Sequence, residues 1–594
     1  MFRRTREVIS LKQSGILKPY FKKTWPIYLA SITLHAIASI VYAFFPQVLA
    51  SFTDRLKDGE LIANDIVRYS IMLLGIGAGH AIIGGYGQYL VMYVGRLFEF
   101  MTRLRLFEHF SKLSEHYYSK NGVGKMLSYF MNDVTGVRES ISMGINQLAM
   151  ASMLLLSCIG AMIASDIPLY LIAVSVGPLL FIPWIVMRLG PAIRKRSLKV
   201  QESLGAMTDS AEEQFGGIRV TKKFAVEPVM IDRFGMYVDR IRDNQLSLVR
   251  MSSLFQALVP FLGSMSLIMV LALGGYLTVN GTITLGTFVA LTLYVRMLMN
   301  PLQQIGNVIN TLQRSRASLQ RLNELIAVQP DIAEAEDAVA VELEASPIRL
   351  EGLTFTYPEA LRPSLSQIDL HIEPGMTLGI VGRTGSGKTT LVKLLLRAYD
   401  PPAGSVQIGG ADIRSLTLES LRSQIAYVPQ DGFLFSTTIR DNIAFARRQA
   451  VQDEVEQAAK QARIYDSIAE FADGFDTKLG ERGLTLSGGQ RQRTSLARGF
   501  IMQAPLMILD DSVSAVDAVT ETEILQTIQQ ERQGKTTIII AHRISAVKHA
   551  DLIIVLDEGK IVQRGKHEEL LAEQGPYAEL HAIQEEGSSH AYGY

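Results

Sequence analysis

The sequence predicts a membrane domain of six transmembrane α-helices followed by an α/β domain. Three observations predict it. The 594-residue chain is 48% hydrophobic but only 20% charged, below the roughly 25% charged content of soluble domains. Six long apolar segments occupy its first half. Past about residue 330, short apolar runs alternate with helical stretches, the pattern of a largely parallel core sheet.

Composition narrows the chemistry further. Lys and Arg total 58, as do Asp and Glu, so net charge is zero and supplies no bulk attraction to nucleic acid. The one cysteine, Cys158, lies in an apolar run. An intramolecular disulfide and a four-thiolate zinc site are therefore excluded. The N-terminal stretch MFRRTREVISLKQSGILKPYFKKTWP is basic, with no short apolar core and cleavage site after it. It reads as a retained cytoplasmic arm rather than a signal peptide.

A helix needs about 20 residues to cross a bilayer core of roughly 30 Å. The apolar segments fall at about 24–50, 66–95, 139–165, 167–190, 253–279 and 284–310. Between Arg96 and Leu113 the helical pattern continues but carries Arg103, Arg105, Glu108 and Lys112, so this helix is leaving the bilayer. The links after spans 1, 3 and 5 are short. Those after spans 2 and 4 are long and rich in Lys and Arg, as in GPAIRKRSLKVQESL and GGIRVTKKFAVEP. The positive-inside rule places the long links, and with them both termini, in the cytoplasm. The reading divides the chain into an arm (1–23), a membrane domain (24–325), an acidic linker (326–347), an α/β domain (348–584) and a tail (585–594).

In the α/β domain, GRTGSGKTT runs from Gly382 to Thr390 directly after the strand-like TLGIV. It fits G-x-x-x-x-G-K-[ST]. Gly382, Arg383, Thr384, Gly385, Ser386 and Gly387 offer backbone N–H groups to an anion. The helix beginning KTT points its positive end at the same place. Lys388 is expected at the β and γ phosphates, Thr389 at Mg²⁺, and Thr390 follows on the helix. The strand LMILDD ends in Asp510 and Asp511. A carboxylate at Asp510 can hold the Mg²⁺ of Mg-ATP.

LSGGQRQRTSLAR, from Leu486, adds a second anion-binding helix start: Ser487, Gly488 and Gly489 present a hydroxyl and N–H groups. With these motifs the chain resembles, over nearly its whole length, the ATP-binding cassette transporters. The resemblance is to type I exporter half-transporters, with six membrane helices ahead of a P-loop nucleotide-binding domain. It implies that two nucleotide domains sandwich two ATP molecules, each between the phosphate loop of one chain and the Ser487–Gln490 signature of the other. It further implies that Tyr357, in LTFTYPEA, stacks on adenine. Gln430, in YVPQDGFLF, would link Mg²⁺ and the attacking water to the membrane domain. Glu481, in GERG, and Asp517, in SAVD, would act across domains, and His542, in IIIAHR, would contact the γ-phosphate. Short coupling helices are expected near 117–125 and 209–218.

One position departs from the family pattern. The acid after the magnesium-binding Asp is usually Glu, and here it is Asp511. Removing one methylene withdraws the carboxylate by up to about 1.5 Å, against a general-base reach of roughly 2.6–3.2 Å. A misplacement of about 1 Å can cost on the order of 100-fold in rate. The chain's own site is therefore expected to hydrolyse ATP slowly, while its signature is intact. This combination resembles the degenerate-site subunit of a bacterial heterodimeric multidrug exporter, whose partner supplies the Glu and a divergent signature. A homodimer that tolerates Asp, exporting drug or lipid, is the alternative. An ATP-gated channel or regulatory subunit is a second function class, which single-channel currents would separate from transport. The fused N-terminal membrane domain disfavours a solute importer, and six spans exclude a soluble DNA-repair ATPase.

The transported compound is expected to be hydrophobic or amphiphilic. His35, His80 and Arg296 fall within spans, where ionisable residues are functional suspects. Tyr294, Met297 and Met299 suit either an adaptable apolar cavity or helix packing.

Overall fold

The structure is a computed structural model and describes residues 15–480, 483, 485–514 and 516–591. Two compact units emerge. One holds the residues up to Lys112 together with Asn121–Gln329. The other holds Leu113–Lys120 and the residues from Pro330 onward.

The first unit is all helix. Six of its helices are long and apolar enough to cross a membrane: α1 (Leu17–Lys57), α2 (Ala63–Phe110), α4 (Val123–Ala164), α5 (Leu169–Gly216), α7 (Glu227–Val279) and the apolar part, Leu285–Gln304, of α8 (Leu285–Ala327). Two short helices lie in the long links: α6 (Ile218–Phe224) in this unit, and α3 (Glu115–Asn121), most of which belongs to the second unit. The spans run well past the apolar segments because their flanking polar residues keep helical periodicity. Residues 17–23 of the arm are already part of α1.

The second short link helix differs from expectation. Residues 209–216 are the last turns of α5, and the break falls at Gly217, with the new helix running from Ile218 to Phe224. Paired glycines at 216 and 217 weaken the helix there, and Ala225 closes α6 in a left-handed conformation.

Packing uses the small and polar residues expected between membrane helices. Ser31 Oγ donates to the Gly87 carbonyl at 2.7 Å. Gly286, at the start of α8, donates its N–H to Asp54 Oδ1 at 2.6 Å, and a Cβ there would lie 2.1 Å from the Ala50 carbonyl oxygen. The intramembrane residues singled out by sequence mostly pack. His35 is buried and hydrogen-bonded to Asn146 Oδ1 at 2.6 Å. His80 stacks on Tyr42 at 4.5 Å and meets the Ala38 carbonyl. Tyr294 is fully buried, its hydroxyl donating to the Ala43 carbonyl at 2.8 Å. Met297 and Met299 pack against the same core, while Arg296 is exposed.

The second unit is α/β. Strands β1 (Ile348–Phe355), β2 (Leu365–Ile372), β4 (Val406–Ile408) and β5 (Ala411–Asp412) form an antiparallel sheet in the order β2-β1-β4-β5. The other sheet has the order β10-β9-β3-β8-β7-β6. It comprises β3 (Thr377–Gly382), β6 (Ile425–Val428), β7 (Leu506–Asp510), β8 (Thr536–Ile540), β9 (Leu552–Asp557) and β10 (Lys560–Gly565). All its pairings are parallel except β9 with β10. The short apolar runs of the sequence, MTLGIVG, IAYVPQ, LMILDD, TTIIIAH and DLIIVLDEG, fall on β3, β6, β7, β8 and β9. They are largely apolar because both faces are covered. Met507 and Leu509 of β7 join one core, and Leu506 and Ile508 join the other.

Candidate functional site

The carboxyl ends of β3 and β7 lie in one parallel sheet, both paired to β8 between them. This is where open α/β sheets bind ligands. β3 runs into the glycine loop, and α9 (Lys388–Leu395) starts at its end. Gly387 has φ +102°, and a Cβ there would lie 2.7 Å from the Ser364 carbonyl oxygen. Only glycine fits. Lys388 is buried, and its Nζ donates to the carbonyls of Gly382 at 2.8 Å and Arg383 at 3.0 Å. Burial pulls its pKa down, against the opposing pull of Asp510 and Asp511. Ser386 Oγ is buried with no hydrogen-bond partner among the described residues. An orphaned hydroxyl beside exposed loop N–H groups fits a phosphate.

Asp510 ends β7 and is buried. Thr389 Oγ1 and the Tyr427 hydroxyl both approach its carboxylate, at 3.5 and 3.4 Å. Burial raises its pKa, partly offset by those two hydrogen bonds. A buried carboxylate beside a threonine hydroxyl is an oxygen donor set suited to Mg²⁺.

Asp511 follows with φ +48°, a left-handed conformation that Asp tolerates better than most residues. Its N–H donates to the Ile540 carbonyl at 2.9 Å. Its own carbonyl accepts from Gln492 Nε2 at 2.9 Å and from Ser514 Oγ at 3.0 Å. Its side chain accepts from Gln430 Nε2 at 3.2 Å. The peptide is thus fixed on each side, and the carboxylate is held toward β6 and the loop after it.

Lys388, Thr389, Gln430, Asp510, Asp511 and His542 all line one cavity of about 870 Å³. Thr384, Gly385, Gly387 and Thr390 line it too. So do Arg362, Ser366 and Lys560, which the sequence reading missed. They belong to no motif and arrive through the antiparallel sheet and the turn after β9. Gln492 was also missed. It sits in the signature helix with no local pattern to mark it.

Tyr357 stands beside this cavity's helix. Its hydroxyl donates to Thr390 Oγ1 at 3.1 Å, and its half-buried ring packs edge-on against Phe355 and Tyr399, each at 5.1 Å. Ser487–Gln490 do not line the cavity. Ser487 caps α10 (Gly488–Phe500) in a reciprocal box: its Oγ accepts from the Gln490 N–H at 3.2 Å, and Gln490 Oε1 accepts from the Ser487 N–H at 3.0 Å. Ser487 and Gly488 are exposed, leaving this helix start facing solvent within the unit. Asp517 likewise caps a helix, accepting from the Thr520 N–H at 3.0 Å. Glu481 lies outside the described residues.

Two family models match: the ABC transporter transmembrane region over residues 28–302, and ABC transporter over residues 365–514. The chain is 34% identical to the probable multidrug resistance ABC transporter ATP-binding/permease protein YheI of Bacillus subtilis (strain 168), covering 95% of this chain and 96% of that one. The chain belongs to the ABC transporter family. This ABC transporter is also 35% identical to the ATP-dependent lipid A-core flippase of Syntrophus aciditrophicus (strain SB), over 83% of this chain and 82% of that one. Among solved structures it resembles a bacterial Atm1-family ABC exporter with ATP bound, at a TM-score of 0.76 and 26% identity, covering 96% of this chain and 99% of that one. It is an ABC exporter: a multi-pass membrane protein joined to a transporter ATPase domain.

Proposed function

We propose that this exporter is one half of a heterodimer that uses ATP to move hydrophobic or amphiphilic compounds across the cell membrane by alternating access. Both termini and the nucleotide domain face the cytoplasm. The site on Lys388, Asp510 and Asp511 binds ATP but hydrolyses it slowly. Ser487, Gly488, Gly489 and Gln490 complete the efficient site of a second chain that carries Glu at the position of Asp511.

The observation that carries this reading is the short Asp511 carboxylate, tied to Gln430 on a peptide that its neighbours fix. Backbone adjustment to extend its reach would break those bonds. The exposed start of the signature helix supports the second half of the reading, because its N–H groups have an anion to meet only on another chain.

Within the site, Lys388 turns from its own loop carbonyls to the phosphates. Ser386 and the loop N–H groups hold the phosphate oxygens, and Tyr357 stacks on the base. Mg²⁺, held by Thr389, Asp510 and Gln430, would neutralise charge on the phosphates. Asp511 accepts the proton of the attacking water, and His542 donates to the γ-phosphate. Closure of the two nucleotide domains would then move the link helices and switch access.

The test is the chain purified alone, assayed for Mg-ATPase with Lys388→Ala as the blank and photo-labelled to show nucleotide binding. Bound ATP with almost no turnover is expected. Brisk turnover overturns the heterodimer.

Export of a lipid is a second reading, favoured by the flippase relative at 35% identity. Protection of a fluorescent lipid from quenching in vesicles would separate it from drug export.

A further inference from the structure

A second cavity, of about 300 Å³, lies between α1 and α2 near the turn that joins them. Each wall is one stripe of a helix. Phe44, Val48 and Arg55 project from α1 at spacings of four and seven residues, and on α2 Met72 follows Arg68 by four and Tyr69 by three, spacings that share a helix face. At 1.5 Å per residue, the stripe from Phe44 to Arg55 spans about 16 Å. It is graded. Phe44, Val48 and Met72 lie at the end toward the middle of the spans. Arg55 and Arg68 lie at the end nearest the turn.

The charge is unbalanced. Asp65 also lines the cleft, but it accepts the Ile62 N–H at 3.3 Å and caps α2. Neither Arg55 nor Arg68 forms an ion pair among the described residues. Two guanidiniums thus share one cleft with a single carboxylate, Asp65, while Phe44, Val48 and Met72 give it an apolar end and Gln47, Ser51 and Tyr69 complete its lining. Gln47 is turned away from any anion, its Nε2 donating to Ser165 Oγ at 2.9 Å.

We propose that this cleft binds an anionic phospholipid, its phosphate between Arg55 and Arg68 and its acyl chain along Phe44, Val48 and Met72. Guanidinium pairs bind phosphate through charge-assisted, often bidentate hydrogen bonds. The height of the arginines, at the end of the apolar segments, matches the headgroup layer. Free phosphate would leave the apolar wall uncovered, whereas an amphiphile satisfies both ends. The leaflet rests on the orientation proposed above and is the one opposite the nucleotide domain.

The test is native mass spectrometry of the full-length chain in detergent with phosphatidylglycerol or phosphatidylcholine added. Phosphatidylglycerol is expected to be retained about tenfold more strongly than phosphatidylcholine, with the preference lost in R55Q/R68Q. Met72→Trp, which fills the apolar end and leaves both charges, is expected to reduce retention as well. Equal retention of the two lipids overturns the site, as does a preference that survives R55Q/R68Q. Displacement by millimolar inorganic phosphate overturns the lipid and leaves a soluble-anion site. The leaflet is read separately. The variant C158A/S51C is labelled in whole cells with a membrane-impermeant maleimide, and Ser51 also lines the cleft. Labelling from outside fits the proposed orientation. Labelling only after the cells are opened overturns the orientation and the leaflet, while lipid retention still scores the cleft.

Discussion

Gln430 Nε2 donates to Asp511 Oδ2 at 3.2 Å, joining the loop after β6 to the acid that follows β7. The two strands are parallel neighbours, with Val428 opposite Leu509, so the pair spans adjacent strand ends. The acid that would polarise water is therefore held by the residue that would also meet Mg²⁺.

Asp511→Glu is expected to raise turnover at the chain's own site by roughly 10- to 100-fold, by restoring the reach of the carboxylate. The left-handed backbone at φ +48° suits Glu less than Asp, so stability should fall by about 1 kcal/mol. ATPase assays and thermal melts of the same preparation check both. Unchanged turnover would locate the limit elsewhere.

Gln430→Ala frees the Asp511 carboxylate. The residual turnover at the chain's own site should drop about tenfold further, while nucleotide binding without divalent cation stays the same. A loss of metal-free binding would mean that Gln430 acts on the nucleotide rather than through Asp511.

Tyr357→Ala is expected to weaken ATP binding about 10- to 100-fold, since stacking on a base contributes roughly 1–3 kcal/mol. Tyr357→Phe keeps the ring and loses only the bond to Thr390, worth about 1 kcal/mol. Titration with a fluorescent nucleotide distinguishes them. Equal losses would assign the effect to the hydroxyl.

Ser487→Ala removes the cap of α10 and should lower stability by about 1 kcal/mol. Ser487→Gly should cost only a few tenths. In the assembled transporter Ser487→Ala should also slow ATP hydrolysis, while labelling of Lys388's own site by a nucleotide analogue is retained. If hydrolysis is unaffected, the signature has no cross-chain role.

The pH dependence runs through Asp510, whose carboxyl pKa is raised by burial. The folded form holds its proton more tightly than the unfolded form. Its contribution to stability is therefore full below the ordinary Asp range and is lost as pH rises through the raised value. Asp510→Asn removes that loss. The variant should melt higher than wild type near neutral pH, and the difference should close on acidification toward the ordinary Asp range. Without Asp510 it should also lose Mg²⁺-dependent nucleotide retention. A melting difference that grows on acidification would contradict the burial argument.

The six spans are legible in the amino-acid order alone, because a bilayer-length apolar run leaves a helix few alternatives. The parallel sheet is legible for a similar reason, since strands covered on both faces carry short apolar runs such as those in LMILDD and TTIIIAH. The phosphate loop, Lys388, Thr389 and Asp510 were legible too, because each lies in or beside a contiguous motif whose chemistry is local. Packing of the fold brings Arg362, Ser366 and Lys560 to the nucleotide cavity and Gln492 against the Asp511 carbonyl. These side chains come from separate elements brought together by strand order, which no local spacing encodes. The structure also moved the second link helix to Ile218–Phe224 and turned His35 and Tyr294 into packing contacts. Whether a polar side chain inside a span faces a neighbour or a cavity depends on which helices surround it, and that is a property of the packed bundle.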